Sequence, residues 1–125
     1  MRSSAAVCGS ALAILAVSAA LAAAPKADGS YSGTLTTTGG TRSFCKGTAP
    51  LTGTVKGMAV AINIRANDGT PGPATGSLDG KGAFVATKTL QSNGALVLTG
   101  AVKAGTMEGT WKGPSCSGTF SLKKG

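Results

Sequence analysis

The chain contains no histidine and only four carboxylates among its 125 residues. Histidine is the usual general acid or base at neutral pH, and carboxylates supply most of the other groups that do this work. The four carboxylates lie far apart in the sequence, at Asp28, Asp68, Asp79 and Glu108. We interpret them as turn formers and surface charges, because a domain this small offers no deep cleft for a glycosidase-like pair. We therefore predict that the protein is not an enzyme.

Only one long apolar run is present, and it lies at the N-terminus, where Arg2 precedes mostly apolar residues 5–24. Its centre, residues 11–21, is too short and too rich in alanine for a stable membrane span. We predict a helical secretory signal peptide over 1–22, cleaved after Ala22 or alternatively after Ala24, a linker over 23–29 and one domain over 30–125. The protein is then expected in the periplasm or outside the cell, with no membrane span. The alternative is a retained anchor.

Cysteine is also scarce, with three residues in the chain. Cys8 lies in the signal segment and is removed with it, which leaves Cys45 and Cys116. Export places these two in an oxidising compartment, where a pair normally bridges. We predict a Cys45–Cys116 disulfide. Two free thiols or a two-ligand metal site would be the alternative, but there is no histidine and no third thiol to complete such a site.

The chain has few residues suited to binding a metal ion or a nucleic acid. Asp68-Gly69 and Asp79-Gly80 resemble fragments of calcium loops, yet neither has the further carboxylates at alternate positions that calcium requires. Nucleic-acid binding would need exposed aromatic residues among basic ones. Four of the five aromatic residues after the signal segment fit a core instead: Tyr31, Phe84, Trp111 and Phe120. We predict no metal, no cofactor and no nucleic-acid partner.

Basic residues outnumber acidic ones, with eleven lysines and arginines left after residues 1–22 against four carboxylates. A positive balance favours encounter with anionic partners such as lipid headgroups or acidic polysaccharide. The basic residues are scattered, however, and scattered lysines also serve simply to keep a small protein soluble. Both interpretations stay open at this stage.

Glycine is abundant, and six of the 20 glycines recur in a five-residue pattern of a mostly large residue, a spacer, Gly, a small residue and an apolar residue. The copies read YSGTL, LTGTV, ATGSL, LTGAV, MEGTW and CSGTF, and their glycines are Gly33, Gly53, Gly76, Gly100, Gly109 and Gly118. Residues two apart share one face of a strand, so each glycine points inward with its large neighbours. Inward glycines either let a narrow barrel close around its core or leave space for a ligand.

The mature chain shows alternating apolar and polar residues with turn signals, which predicts an all-β domain. The eight predicted strands cover 30–37, 51–56, 58–65, 75–79, 83–90, 95–103, 106–112 and 116–123. Short connections predict an antiparallel meander that closes, or nearly closes, into a small barrel in which the first and last strands pair. The predicted inward residues include Tyr31, Leu35, Leu51, Val55, Met58, Val60, Ile62, Ile64, Leu96, Leu98, Val102, Met107, Trp111, Phe120 and Leu122.

The fifth predicted strand departs from this alternation. Placing Phe84 and Leu90 inside also places Lys88 inside, whereas the opposite parity buries Val85 and exposes Phe84. We predict a bulge or a rim position at this point, because an unpaired buried lysine costs several kcal/mol. The alternative is that Lys88 lines an interior polar site.

These observations favour a non-enzymatic binding module that holds a small ligand or partner in the barrel interior or at one rim. Phe44 lies in the loop beside Cys45 with no strand to bury it, and it either anchors a partner or packs under the rim. The candidate rim contacts are Arg42, Phe44, Lys46 and Trp111. One alternative is an envelope or interaction protein that binds anionic surfaces through the outward-facing residues Lys56, Arg65, Lys103 and Lys112. Another is an inhibitor of an exported protease that uses loop 66–74.

The segments DGSYSGTL, GTMEGTW and CSGTFSLKK resemble a group of small exported bacterial all-β proteins that are uncharacterised, and this resemblance implies no activity and no site. The strands LTGTV and LTGAV are similar, in pattern only, to strands of the avidin-like ligand-binding barrels. That family lines its pocket with several tryptophans, whereas this chain has Trp111 alone. Biotin-type binding is therefore not implied.

Overall fold

The computed structural model describes residues 27–125, and the predicted signal peptide with both of its cleavage positions lies outside the described residues. Among residues 27–125, no helix is long and apolar enough to cross a membrane. The regular structure consists of eight strands: β1 (Gly29–Gly40), β2 (Gly47–Lys56), β3 (Ala59–Asn63), β4 (Ala74–Leu78), β5 (Ala83–Thr89), β6 (Ala95–Lys103), β7 (Thr106–Lys112) and β8 (Cys116–Lys124).

The strands form a closed antiparallel barrel in sequence order, which confirms the predicted fold class. Closure comes from β1 and β8, which pair from Tyr31 opposite Lys124 to Gly40 opposite Cys116. The register shifts between Thr37 and Gly39, so β1 carries an irregularity just before this end of the pairing. Closure satisfies the hydrogen-bonding groups of both edge strands, which in an open sheet would be exposed.

The barrel has two unlike ends. The disulfide end carries loops 41–46, 64–73, 90–94 and 113–115, together with the predicted Cys45–Cys116 bond, whose Cα atoms are 5.2 Å apart. The far end carries the tight turns 57–58, 79–82 and 104–105 and both ends of the strand sequence. Glycines with positive φ occur in these turns, as at Gly57 and Gly105. The long loops, and with them the space for a site, are therefore gathered at the disulfide end.

The strand boundaries differ most from the sequence prediction in the first connection and at the end of β3. The first connection is shorter than the predicted 38–50 loop, because β1 and β2 continue pairing as far as Thr37 opposite Gly47. In contrast, β3 ends at Asn63 instead of residue 65. Its partner β4 begins at Ala74, opposite Ile62, so the residues after Asn63 have no strand to pair with on the β4 side. The Ile64 amide instead donates to the Ile62 carbonyl at 3.0 Å, a tight turn that ends the strand.

The barrel interior contains a core of buried side chains. The largest fully buried side chains are those of Tyr31, Val60, Ile62, Leu98, Met107 and Leu122. The Tyr31 hydroxyl donates to the Ala27 carbonyl at 2.6 Å, which satisfies the polar end of this buried side chain. One predicted core residue is placed wrongly: Met58 lies in the turn 57–58 and is 43% exposed. The inward alternation of β3 begins at Val60, after the turn.

The repeat glycine Gly100 leaves room for an aromatic ring in this core. Gly100 and Gly109 lie opposite each other on β6 and β7, with Phe84 beside Gly100 on β5 and Phe120 beside Gly109 on β8. The rings of Phe84 and Phe120 meet inside the barrel with centroids 6.2 Å apart. A β-carbon on Gly100 would lie 2.9 Å from the Phe120 ring. A side chain at Gly100 would therefore collide with the Phe120 ring as well as with the Glu108 carbonyl of the neighbouring strand.

Candidate functional site

A cavity of about 640 Å³ opens at the disulfide end, and we call it the rim cavity. Its wall is apolar, and its mouth carries polar and charged groups from the four loops. The apolar wall residues are Leu35, Leu51, Ile64, Leu90, Leu96 and Trp111. The mouth includes Thr37, Phe44, Lys46, Arg65, Asn67, Asp68, Ser92 and Ser115. None of the six repeat glycines belongs to this lining, so the cavity does not arise from the repeat.

Three of the four predicted rim residues line this cavity. Phe44 is 55% exposed at the mouth, so it does not pack under the rim, and Lys46 lies two residues farther along the same loop. Trp111 forms part of the wall, is 8% exposed and donates its indole Nε1–H to the Thr36 carbonyl at 3.1 Å. Arg42 is exposed on the same loop but is not part of the lining. The structure thus brings Phe44, Lys46 and Trp111 together and leaves Arg42 aside.

The residues predicted to form a cationic outer face are all exposed but do not form one face. Lys56 and Lys103 end their strands at the far end of the barrel. Arg65 and Lys112 lie at the disulfide end, and Arg65 belongs to the mouth of the rim cavity. The length of the barrel separates the two pairs, so the structure does not bring these four side chains together.

Asp68 holds two loops of the mouth against each other. One carboxylate oxygen accepts hydrogen bonds from the Thr70 amide at 2.9 Å and the Thr70 hydroxyl at 2.5 Å, and the other accepts from the Ser92 amide at 2.9 Å and the Ser92 hydroxyl at 2.7 Å. The Gln91 amide also donates to the Thr70 hydroxyl oxygen at 2.9 Å. Led by the Thr70 hydroxyl, these bonds hold the pKa of Asp68 well below its usual range. Loops 64–73 and 90–94 therefore behave as one unit.

Replacing Asp68 with Asn should loosen this unit, because an amide keeps only one of the two acceptor oxygens. Backbone amide hydrogen exchange at Gln91 and Ser92 should become faster in Asp68→Asn. The lowered pKa means that the bonds stabilise the fold above pH 4 or so, and that this contribution is lost as the pH falls below that value. The dependence of unfolding on pH between about 6 and 2 should therefore be flatter in the variant than in the wild type.

Asp79→Asn is the matched control for this measurement. Asp79 accepts hydrogen bonds from the Lys81 and Ala83 amides at 2.8 and 2.9 Å within the turn 79–82, and its pKa is also lowered, chiefly by the Ala83 amide. This turn is at the far end, so Asp79→Asn should leave exchange at Gln91 and Ser92 unchanged. Equal exchange at these two amides in wild type and Asp68→Asn would show that Asp68 does not join the loops.

Lys88 lies inside the barrel, and the predicted bulge in β5 is wrong. β5 pairs with β4 and β6 without a register shift, so its buried residues alternate as Phe84, Ala86 and Lys88. Lys88 is 5% exposed, and its Nζ donates to the Ile64 carbonyl at 2.8 Å. This is the alternative that the sequence left open, an interior polar position. The Ile64 carbonyl lies in loop 64–73, just after the end of β3, and faces the lysine.

Sequence reasoning missed most of the cavity wall as a site. Leu35, Leu51, Ile64, Leu96 and Trp111 were correctly predicted to point inward, but nothing in the pattern distinguishes a wall from a packed core. The signal that was present is the length of the four loops at one end, since long loops leave the adjacent layer of inward residues without cover. Asp68 carried a weaker signal, because an aspartate followed by Gly and Thr is typical of a turn that accepts amide donors.

None of the protein-family models, curated proteins or solved structures compared with the chain matches it. Among residues 27–125, no group of three or more His, Cys, Asp or Glu side chains is placed to hold a metal ion. Asp68 is the one carboxylate of the cavity lining, and both of its oxygens are already engaged. The arrangement of the site therefore has to be interpreted from its own shape and chemistry.

Proposed function

We propose that this protein is a non-enzymatic binding module that holds a small, largely apolar ligand in the rim cavity. The observation that carries the proposal is the cavity itself. Its volume of about 640 Å³ lies within the range of about 300–1,000 Å³ that is usual for small-molecule sites. An apolar wall surrounded by a few polar groups is also the usual composition of such sites.

The frame around the cavity supports this proposal. Cys116 is part of the lining and is bonded to Cys45, which fixes loop 41–46 against the start of β8. Asp68 joins loops 64–73 and 90–94, and Trp111 is held by its hydrogen bond to Thr36. A ligand entering a wall that is already ordered loses less free energy to the ordering of side chains. We also propose that binding takes place outside the cytoplasm, which the signal-type N-terminus and the disulfide support.

Trp111 provides a direct test, because it is the only tryptophan of the chain and belongs to the cavity wall. The neutral fluorophore N-phenyl-1-naphthylamine is titrated into the oxidised protein. We expect saturable binding with one probe per protein, together with quenching of Trp111 fluorescence by energy transfer to the probe. Binding without any change in Trp111 fluorescence, or no saturable binding at all, would contradict the proposal.

A pair of matched variants localises the binding. Ala49→Phe adds a ring at the cavity wall, where Ala49 is exposed and part of the lining, and should weaken binding of the fluorophore by about tenfold, equivalent to about 1.4 kcal/mol. Ala59→Phe makes the same change at an exposed position of β3 near the far end and should bind as the wild type does. Equal affinities for the two variants would place the fluorophore elsewhere on the protein.

A further inference from the structure

We propose that the ligand of the rim cavity is an amphipathic anion, whose acidic head group binds the ammonium group of Lys88 while its apolar tail lies on the cavity wall. This inference rests on the proposed function and names the ligand class. The evidence is the state of Lys88, which is a charged side chain in the barrel interior with almost no access to solvent.

Lys88 has fewer hydrogen-bond partners than its ammonium group can bind. An ammonium group has three hydrogen-bond donors, and within residues 27–125 the Nζ of Lys88 makes one hydrogen bond, to the Ile64 carbonyl. No carboxylate of that part of the chain forms an ion pair with it. A buried charge normally requires a counter-charge as well as hydrogen bonds, because removing the ion from water costs several kcal/mol. The Ile64 carbonyl is a neutral acceptor and supplies no counter-charge. The positive charge of Lys88 is therefore not balanced by a negative one.

The position of Lys88 brings this charge next to the rim cavity. Its hydrogen-bond acceptor, Ile64, and its cross-strand partner on β6, Leu96, are both wall residues. Lys88 thus lies immediately behind the wall, and its flexible four-carbon stem allows the ammonium group to turn from Ile64 toward a head group that enters between the two side chains. An anion held there would supply the missing counter-charge in a region of low dielectric, where a charge pair is strong.

The other charges around the cavity are consistent with an anionic ligand. Lys46 and Arg65 lie at the mouth and would attract an anion from solution. Asp68, the carboxylate of the lining, directs its two oxygens to Thr70 and Ser92 and so is not available to Lys88. Asp28 and Asp79 lie at the far end, where Asp28 accepts from the Gly57 amide at 2.8 Å and Asp79 closes the turn 79–82. The disulfide end therefore has an excess of positive charge, and Lys88 is its buried member.

The test compares decanoate with the neutral decanol, which has the same chain length, by calorimetry and by Trp111 fluorescence. We expect wild type to bind decanoate at least about tenfold more tightly, as a charge-assisted hydrogen bond would provide. Lys88→Met keeps the length of the side chain and removes the charge. This variant should bind both probes with affinities within about twofold of each other and should retain the wild-type affinity for decanol. Lys112→Met, an exposed lysine-to-methionine change at the same end, should keep the full preference.

The salt dependence of binding distinguishes the contribution of Lys88 from those of Lys46 and Arg65 at the mouth. Exposed charges are largely screened at about 0.5 M salt, whereas a buried pair is screened much less. The preference for decanoate should therefore persist from about 0.1 to about 0.5 M salt in the wild type, and in a Lys46→Gln/Arg65→Gln variant. Because this measurement uses wild-type protein, it decides the question even where Lys88→Met fails to fold.

Several results would overturn the assignment. They are equal binding of decanoate and decanol by the wild type, loss of the preference at high salt, and an undiminished preference in folded Lys88→Met. Failure of decanoate to bind while N-phenyl-1-naphthylamine still enters the cavity would overturn the anion assignment and leave the proposed function intact. If N-phenyl-1-naphthylamine, decanoate and decanol all fail to bind, both the proposed function and the anion assignment are overturned.

Discussion

Gly118→Ala is expected to destabilise the protein by at least about 3 kcal/mol, at or beyond the upper end of the usual cost of adding a methyl group to a packed core. A β-carbon at this position would overlap the Thr36 carbonyl oxygen and would lie 2.8 Å from Trp111 Nε1. These two atoms are the partners of the indole hydrogen bond. The added methyl group would therefore strain the β1–β8 pairing that closes the barrel and displace the tryptophan of the cavity wall. Unfolding in urea, monitored by circular dichroism, measures the loss of stability.

Gly39→Ala is the matched control, because Gly39 also lies in β1 near its pairing with β8 but has open space where its β-carbon would be. Its stability should stay within about 0.5 kcal/mol of the wild type. Gly118→Ala should in addition change the emission spectrum of Trp111, whereas Gly39→Ala should not. Equal midpoints and slopes for the two variants would show that close approach at Gly118 is not required for the fold.

The same physical reason connects Gly118 to other copies of the repeat. β-Carbons on Gly33, Gly76 and Gly109 would likewise overlap a carbonyl oxygen of the neighbouring strand. The spacing of the repeat correctly predicted glycines on the inner side of their strands. It did not predict that the limiting atoms belong to the backbone of the next strand instead of to core side chains. That distinction depends on how sharply the strands bend around one another, and a single strand's sequence does not encode it.

Most of the fold could be predicted because it depends on local signals. Alternation of apolar residues located the eight strands, and short turns such as Ala104-Gly105 required neighbours in sequence to be neighbours in the sheet. Closure was predicted from the short connections, because a meander of about eight strands can bring its first and last strands together. Strand ends were less predictable. β3 stops at Asn63, close to the level at which its neighbour β4 begins, and the start of β4 is set by another part of the chain.

The candidate site could be predicted only in part, because it is assembled from loops that are distant in sequence. Phe44 and Lys46 were found through their position beside a cysteine, and Trp111 through the repeat. For Lys88 the sequence predicts a bulge or a rim position, since burial of an unpaired lysine is unfavourable. The structure differs because β5 keeps its register, which places Lys88 inside the barrel despite this cost. A local rule that fails in this way is typical of a functional position, which is the reason for testing Lys88 as a ligand contact.

Removal of the disulfide should have the largest effect on stability. In the Cys45→Ala/Cys116→Ala variant, the unfolded chain regains the freedom that a bond across 71 positions had removed. The chain-entropy model gives about 4 kcal/mol for a loop of that size. For a domain of roughly 100 residues this corresponds to a melting temperature lower by about 15–30 °C. Reduction of the wild type should lower its stability to that of the double variant, which should not itself respond to reductant.

The location of this bond indicates which rate should change. Pairing of β1 with β8 joins the two ends of the domain, and it is the contact with the largest loop to close in the meander. If the disulfide acts by bringing β1 and β8 together in the unfolded chain, its removal should slow folding and leave the unfolding rate nearly unchanged. The dependence of the unfolding free energy on urea should also become steeper, because the unfolded chain expands. If the bond acts instead by holding loop 41–46 on the native rim, unfolding should become faster at an unchanged folding rate. Kinetics of the double variant at several urea concentrations separate the two, and a loss below about 1 kcal/mol would contradict both.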